Sequence, residues 1–250
     1  MIKVIILGSG NVGSHLANVF LTNTKIDLIQ VYARNIEKIQ HVKNKVNITD
    51  SHEKLLDADI YIICISDNVI SPFSKLISSS DKLIVHTSGS IEMNALKGST
   101  NIGVFYPLQT FSKKTAIDFK NIPICIESNN DSNLILLELL ASCISDHVYF
   151  LNSEKRKKMH LSAVFVNNFV NHLYHIGNQI CEENGVPFEI LHPLIMETAN
   201  KVQTLPPLNA QTGPAKRNDE LTISKQLILL KNNELEIYLK LTKSIINTYS

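Results

Sequence analysis

A glycine-rich turn at residues 8–13, with the sequence GSGNVG, constrains the fold of this chain more than any other feature. The apolar, β-branched run Ile2–Leu7 leads directly into the turn, and Leu16, Val19 and Phe20 follow it at helical spacing. A strand, a glycine turn and a helix in this order are typical of a dinucleotide site, because the helix N-terminus attracts a pyrophosphate. A glycine turn without a ligand is the alternative. The predicted cofactor contacts in the turn are Gly8, Ser9, Gly10, Asn11, Val12 and Gly13.

The residues after the second predicted strand, 26–32, indicate which dinucleotide binds. An NAD site usually places a carboxylate roughly 20 residues past the glycines, where it binds the ribose 2′-hydroxyl. This chain has no acid there and has Arg34 instead, whose charge and planar guanidinium suit a 2′-phosphate. We therefore predict NADP(H), with Arg34 and the neighbouring Asn35 as contacts. A solvated loop arginine is the alternative.

The composition narrows the class of protein. The chain has 250 residues, of which 44% are hydrophobic and 19% charged, and its net charge of +1 gives no electrostatic footprint for nucleic acid. Its four cysteines are scattered, without a CxxC pair, as is usual in a reducing compartment. No apolar stretch approaches the roughly 20 residues of a membrane span, and the N-terminal apolar run is too short for a signal peptide. These features predict a cytoplasmic protein that binds neither nucleic acid nor a membrane.

Strand and helix patterns alternate along residues 1–151, which predicts an α/β domain with a mostly parallel sheet and helices on both faces. Ligands of such sheets bind beyond the carboxyl ends of the strands. Hydroxyls and amides at a strand end can hold a carboxylate, and a plain turn is the alternative. The predicted contacts at this rim are Ser66 and His86 for the cofactor, and Thr87, Ser88 and Gln109 for a substrate.

Residues 152–250 carry no strand pattern, which predicts an all-α second domain. The first long helix, at about residues 153–184, is apolar on more than one face, so we expect it to be buried. The few helices of this domain offer little cover for it. We therefore predict a homodimer formed through the C-terminal helices, with burial inside one subunit as the alternative.

Polar side chains on this helix are candidates for chemistry. His160, Asn167 and Asn171 share one helix face, and histidine ordinarily titrates near neutrality, so His160 is a predicted proton donor. Lys157 shares this face and is the alternative donor. It belongs to the basic run 155–158, which we expect to form a solvated surface.

Two further groups of polar residues follow. His172 and His175 lie three residues apart, but no third ligand is near them in the sequence, so no metal site is predicted. In the polar loop 213–219, Arg217 can hold a substrate carboxylate through two hydrogen bonds, and Asp219 can hold the arginine in place. A structural salt bridge between these two side chains is the alternative.

Several motifs along the chain carry a family resemblance: Gly8–Gly13, His86–Gly89, Tyr106–Phe111, His160–Phe169 and the loop from Gly213 to Asp219. The set resembles bacterial proteins that join a Rossmann-like half to domain of unknown function 2520 and are assigned as NADP oxidoreductases. More distantly it resembles β-hydroxyacid dehydrogenases, ketopantoate reductases and pyrroline-carboxylate reductases. The resemblance implies an α/β Rossmann domain at 1–151 and a helical substrate and dimerisation domain at 152–250. It also implies hydride transfer between NADP(H) and a small carboxylate-bearing 2-oxo or hydroxy acid, with ketopantoate as one candidate.

One position departs from this wider group. β-Hydroxyacid dehydrogenases carry a lysine four residues before an asparagine on the first long helix, whereas Val164 stands four residues before Asn168 here. His160 or Lys157 would then have to supply the proton, with Asn168 polarising the carbonyl. The absent lysine supports one alternative, a sensor or scaffold that binds NADP(H) without turnover. Reduction of a C=N bond, as in pyrroline-carboxylate reductases, is a further alternative.

Overall fold

The structure is a computed structural model and describes residues 1–77, 81–112, 115 and 117–249. Eight strands form one sheet, in which the only antiparallel pair among the described residues joins the sixth and seventh strands. The strands are β1 (Ile2–Leu7), β2 (Ile26–Tyr32), β3 (Asn47–Thr49), β4 (Ile60–Ile63), β5 (Leu83–His86), β6 (Ile102–Pro107), β7 (Ile124–Ser128) and β8 (Val148–Phe150). Their order in the sheet is β3-β2-β1-β4-β5-β6-β7-β8.

Strand β1 shows why this sheet forms. Its side chains alternate between two buried apolar clusters, with Val4 and Ile6 in one and Ile5 and Leu7 in the other, so helices or loops must cover both faces. The predicted α/β fold with a mostly parallel sheet is confirmed. The first helices are α1 (Asn11–Leu21), α2 (Asp67–Ser74), α3 (Asp131–Ser142) and α4 (Ser153–Ala163), and 3₁₀ turns occupy Ile36–Val42, His52–Lys54, Met93–Ala95 and Phe119–Asn121.

The chain divides into two compact units, Met1–Asn167 and Asn168–Ser250. The strands end at Phe150, near the division at 151/152 expected from the sequence. The first unit nevertheless continues through α4, because Ser153 and Arg156 on this helix bond to Glu127 of β7. A π-helical segment, Val164–Phe169, follows α4.

The second unit contains α5 (Val170–Glu183), α6 (His192–Thr204), α7 (Pro207–Ala210), α8 (Glu220–Leu227) and α9 (Asn232–Tyr249). Its buried apolar residues, within the part that the structure describes, are Ile176 and Ala215. The long helix at 153–184 is therefore largely exposed in the single chain, so the structure does not show the alternative of burial inside one subunit. None of the described helices combines the length and apolar character needed to cross a membrane.

Candidate functional site

The glycine turn after β1 has the geometry of a phosphate cradle. Gly8 has a φ of +133°, and a Cβ there would lie 2.2 Å from the Cys64 carbonyl oxygen. A Cβ on Gly13 would lie 2.6 Å from the Gly8 carbonyl oxygen, so the fold itself requires both glycines. A Cβ on Gly10 would approach no described atom closer than 3.7 Å, and no side chain caps the start of α1. The space at Gly10 and the open backbone N–H groups fit a pyrophosphate.

The loop after β6 lies across the start of α1. Asn11 Nδ2 donates to the Phe111 carbonyl oxygen (2.7 Å), and His15 Nε2 donates to the Ser112 carbonyl oxygen (2.9 Å). The ring centroids of His15 and Phe111 are 5.2 Å apart. The Asn11 side chain, a predicted cofactor contact, therefore holds this loop, and its backbone remains the group available to a phosphate. Gln109, in the same loop, is exposed.

The residues after β2 and β4 border the same edge of the sheet. Arg34 is exposed and forms no ion pair within the described ranges, so its guanidinium is available to an anion. The Asn35 side chain instead accepts a hydrogen bond from the Glu37 backbone N–H (3.0 Å) and caps the 3₁₀ turn. Ser66 precedes α2 and is exposed. The free arginine fits the predicted 2′-phosphate contact.

Replacing Gly10 with alanine should weaken NADPH binding by about 10- to 100-fold, because hydrogen bonds to a charged group contribute about 1.5–3 kcal/mol. The new Cβ has room in the free protein, so the melting temperature should stay within a degree or two of wild type. Fluorescence titration with NADPH measures the affinity. Gly177→Ala, whose Cβ would approach no described atom closer than 3.8 Å, is the matched control. An unchanged affinity of Gly10→Ala for NADPH would show that the glycine turn is not part of the binding site.

In the loop after β5, the side chains predicted to contact a substrate form hydrogen bonds within the protein instead. Thr87 Oγ1 donates to the Ile63 carbonyl oxygen (3.3 Å), and Ser88 Oγ accepts from the backbone N–H groups of Ser90 (3.0 Å) and Ile91 (3.1 Å). Both residues are buried. These hydroxyls therefore stabilise the conformation of the loop. A substrate could form hydrogen bonds with them only by replacing the bonds that they form within the protein.

His160, the predicted proton donor, also lies at the carboxyl edge of the sheet. Its Nδ1 lies 2.9 Å from the Tyr106 Oη at the end of β6, and the two rings meet edge to face with centroids 5.9 Å apart. Gly89 lies against this pair, since a Cβ there would be 2.5 Å from His160 Nδ1. Sequence reasoning missed Tyr106 as a site residue. Its position at a strand end, beside the predicted substrate loop, is the signal that could have identified it.

The basic run 155–158 does not form the uniform solvated surface expected from the sequence. Arg156 is fully buried and forms an ion pair with Glu127, and it also donates to the Ile91 carbonyl oxygen. Lys157, the alternative proton donor, pairs with Glu92 at 2.5 Å. This ion pair holds the Lys157 side chain against Glu92 at the surface, so His160 is the better candidate for the donor.

His86 is fully buried, so its side chain has no exposed surface to offer a cofactor. Its Nδ1 accepts from the Ser88 backbone N–H (3.1 Å), and its Nε2 has no hydrogen-bond partner within the described residues. Burial and the nearby Arg156 charge lower the pKa of His86 to about 4, although the Glu92 backbone opposes the shift. The imidazole is therefore neutral in the folded protein at neutral pH.

Acid should destabilise the protein through His86. The unfolded chain takes up a proton near pH 6.5 and the folded chain only near pH 4, so unfolding is favoured as the pH falls through this window. We expect the free energy of unfolding to fall by about 2 kcal/mol between about pH 7 and pH 5 from this group. Urea denaturation of wild type and His86→Asn isolates the effect, since the amide does not titrate. If the free energy of unfolding depended on pH equally in both proteins, the role of His86 would be contradicted. His147→Asn, at an exposed position, is the control.

The second unit places Arg217 and Asp219 differently from expectation. The Asp219 carboxylate accepts hydrogen bonds from the Thr222 backbone N–H (3.0 Å) and hydroxyl (2.7 Å), so it caps α8. Within the described residues it forms neither the contact predicted to hold Arg217 in place nor the alternative salt bridge with it. These bonds lower the pKa of Asp219. Arg217 is exposed and has no ion pair within the described chain, and Asn168 is also exposed.

Two family models match the chain. Residues 122–245 match the domain of unknown function DUF2520, and residues 3–89 match the family described as NADP oxidoreductase, coenzyme F420-dependent. A provisionally assigned NADP oxidoreductase from Bacteroides fragilis is 36% identical, with 98% of each chain covered and a TM-score of 0.90. The comparison with curated proteins gave no match.

Two more distant structures share the fold. A reductive aminase from Aspergillus terreus, solved with NADPH and ethyl levulinate, is 14% identical over 99% of this chain and 93% of its own, with a TM-score of 0.71. A 1-pyrroline-5-carboxylate reductase from Streptococcus pyogenes is 14% identical over 99% of this chain and 98% of its own, with a TM-score of 0.63.

Proposed function

We propose, because the chain belongs to the family of NADP oxidoreductases that carry the DUF2520 domain, that it transfers hydride between NADP(H) and a small 2-oxo or 2-hydroxy acid. Ketopantoate is one candidate substrate. The observation that carries the proposal is the position of His160, an ionisable side chain at the carboxyl edge of the sheet that also holds the phosphate cradle.

The cofactor and three side chains act in this reaction. NADPH, when bound, supplies the hydride. His160 donates a proton to the oxygen of the substrate, so that the product leaves as an alcohol and not as an alkoxide. Asn168 polarises the carbonyl and Arg217 binds the carboxylate through its free guanidinium, and both are exposed residues of the second unit.

Reduction of a C=N bond is the second candidate, since a reductive aminase and a pyrroline-carboxylate reductase share this fold. The chemistry of His160 favours the carbonyl. A protonated imine already carries its proton on nitrogen, whereas reduction of a carbonyl requires an acid to protonate the oxygen. The test compares NADPH oxidation with 2-oxo acids and with cyclic imines. Turnover of imines alone would replace the proposed substrate class.

We also propose that the C-terminal helices form a homodimer. The exposed apolar side chains of the second unit are spread over several helices, a larger surface than a small ligand covers. They include Leu173, Ile180, Ile190, Leu194, Met196, Val202, Leu205, Leu221, Ile228, Leu229, Leu239 and Leu241. A second copy offers the same unpaired surface, which a twofold axis can bring into contact with itself.

Negative charges introduced on the exposed apolar surface of the second unit should separate the subunits. Ile190 and Leu194 are 65% and 63% exposed, and replacing both with glutamate should convert a dimer into a monomer in sedimentation experiments. Ile135 and Leu139 of α3, also four residues apart, are 58% and 56% exposed, and their double glutamate variant is the matched control. A monomeric wild-type protein would contradict the proposed dimer.

A further inference from the structure

The contact between Tyr106 and His160 is a specific arrangement and not a loose packing contact. The phenol oxygen and Nδ1 lie at hydrogen-bond distance, 2.9 Å, and the rings are inclined at 74°. A Cβ on Gly89 would lie 2.5 Å from Nδ1 and 2.9 Å from the Tyr106 Cζ. Any side chain at position 89 would therefore displace the pair, and glycine leaves the space that it occupies.

The direction of this hydrogen bond follows from the state of the phenol. Burial is the largest effect on Tyr106 and raises its pKa to about 12. The nearby Cys125 on β7 and Asp67 on α2 act in the same direction, whereas Arg156 on α4 opposes them. Tyr106 is therefore a neutral O–H group at physiological pH. A phenol donates well, and the unprotonated nitrogen of a neutral imidazole accepts well.

We infer that Tyr106 is a positioning residue that donates its hydroxyl hydrogen to His160 Nδ1, keeps the ring proton on Nε2, and resupplies that proton during turnover. The inference rests on the proposed function, because it concerns the proton that His160 delivers. Reduction of the proposed carbonyl substrate consumes one proton per turnover, so the imidazole of His160 needs a group that replaces the proton it gives away.

The proton transfer balances as a relay. As hydride reaches the carbonyl carbon, the Nε2–H bond of His160 breaks and the O–H bond of the product forms. At the same time the Tyr106 O–H bond breaks and an Nδ1–H bond forms. His160 ends neutral with its proton on Nδ1, and Tyr106 ends as a phenolate. The cycle closes when Nδ1 returns this proton to the phenolate and Nε2 takes up a proton from solvent water. The relay is favourable overall because an alkoxide is a much stronger base than a phenolate.

The pH dependence of kcat tests the relay. With a substrate in hand, wild-type kcat should stay level from neutral pH into the alkaline range, because the phenol remains protonated until near pH 12. In Tyr106→Phe only the protonated imidazolium can give up a proton and end neutral, so kcat should fall about tenfold per pH unit once that form is depleted. KM for NADPH should not change. Profiles of the same shape in both proteins would overturn the relay.

Nitrogen-15 NMR of the His160 ring tests the same inference without any substrate. In wild type at alkaline pH the proton should reside on Nε2 and Nδ1 should be a bare acceptor. In Tyr106→Phe both tautomers should be populated, and Gly89→Ala should produce a similar change by displacing the ring. A proton on Nδ1 in wild type would overturn the inference. Because this readout needs no turnover, failure of the proposed substrate class and failure of the relay are separable.

Discussion

Replacing His160 with alanine should lower kcat by about two to four orders of magnitude, the usual contribution of a general acid. NADPH affinity should remain unchanged, because the phosphate cradle, Gly8–Gly13, and Arg34 lie on other elements. Steady-state kinetics with whichever 2-oxo acid the wild-type protein turns over, and a separate NADPH titration, measure the two quantities. The expected pattern is a loss confined to the chemical step.

The control for this variant is His147→Ala. His147 is exposed and lies just before β8, in the same compact unit as His160. Its removal should leave kcat within about twofold of wild type, as is usual for surface substitutions. If His160→Ala also retained full turnover, His160 would not be the donor, and Lys157 would be the next side chain to test.

Replacing Glu127 with glutamine should destabilise the protein by about 3–5 kcal/mol, the second large effect expected here. Arg156 is fully buried, and Glu127 is its carboxylate partner, with a side chain only 13% exposed. Removing that negative charge leaves an uncompensated guanidinium inside the protein. Because Ser153 Oγ also donates to Glu127 (2.8 Å), the start of α4 should loosen as well.

A surface ion pair on the same helix provides the control. Glu154 and Lys158 of α4 lie 2.7 Å apart, and their side chains are 74% and 76% exposed. Glu154→Gln should therefore cost at most about 0.5 kcal/mol in the free energy of unfolding, measured by urea denaturation. A similar small cost for Glu127→Gln would mean that the buried pair contributes little to the packing of α4.

Local patterns in the sequence were enough to predict the sheet. The strands around Ile5 and Ile62 are short apolar runs, and the glycine turn after β1 has a spacing that only a few structures require. These signals are local, because a strand that is buried on both faces must itself be apolar along most of its length. The prediction of an α/β domain followed by helices therefore agrees with the structure.

The side-chain pairs of the site could not be predicted in the same way. Tyr106 and His160 are 54 residues apart, and Glu127 and Arg156 are 29 residues apart. Within the run KRKK, nothing in the sequence distinguishes the arginine that becomes buried from its neighbours. Only the packing of α4 against β7 determines which of the four side chains meets a carboxylate. The capping role of Asp219 was missed because the same residue type also suits a salt bridge.

The most direct test of the proposed function follows the hydride itself. The protein is mixed with NADPH that carries deuterium at the transferable position and with a panel of 2-oxo acids that includes ketopantoate, and the products are analysed by mass spectrometry. We expect one 2-hydroxy acid that carries one deuterium for each NADPH oxidised. If NADPH keeps its label with every 2-oxo acid, the proposed substrate class is contradicted. This holds whether a separate incubation transfers the label to a cyclic imine or to no acceptor.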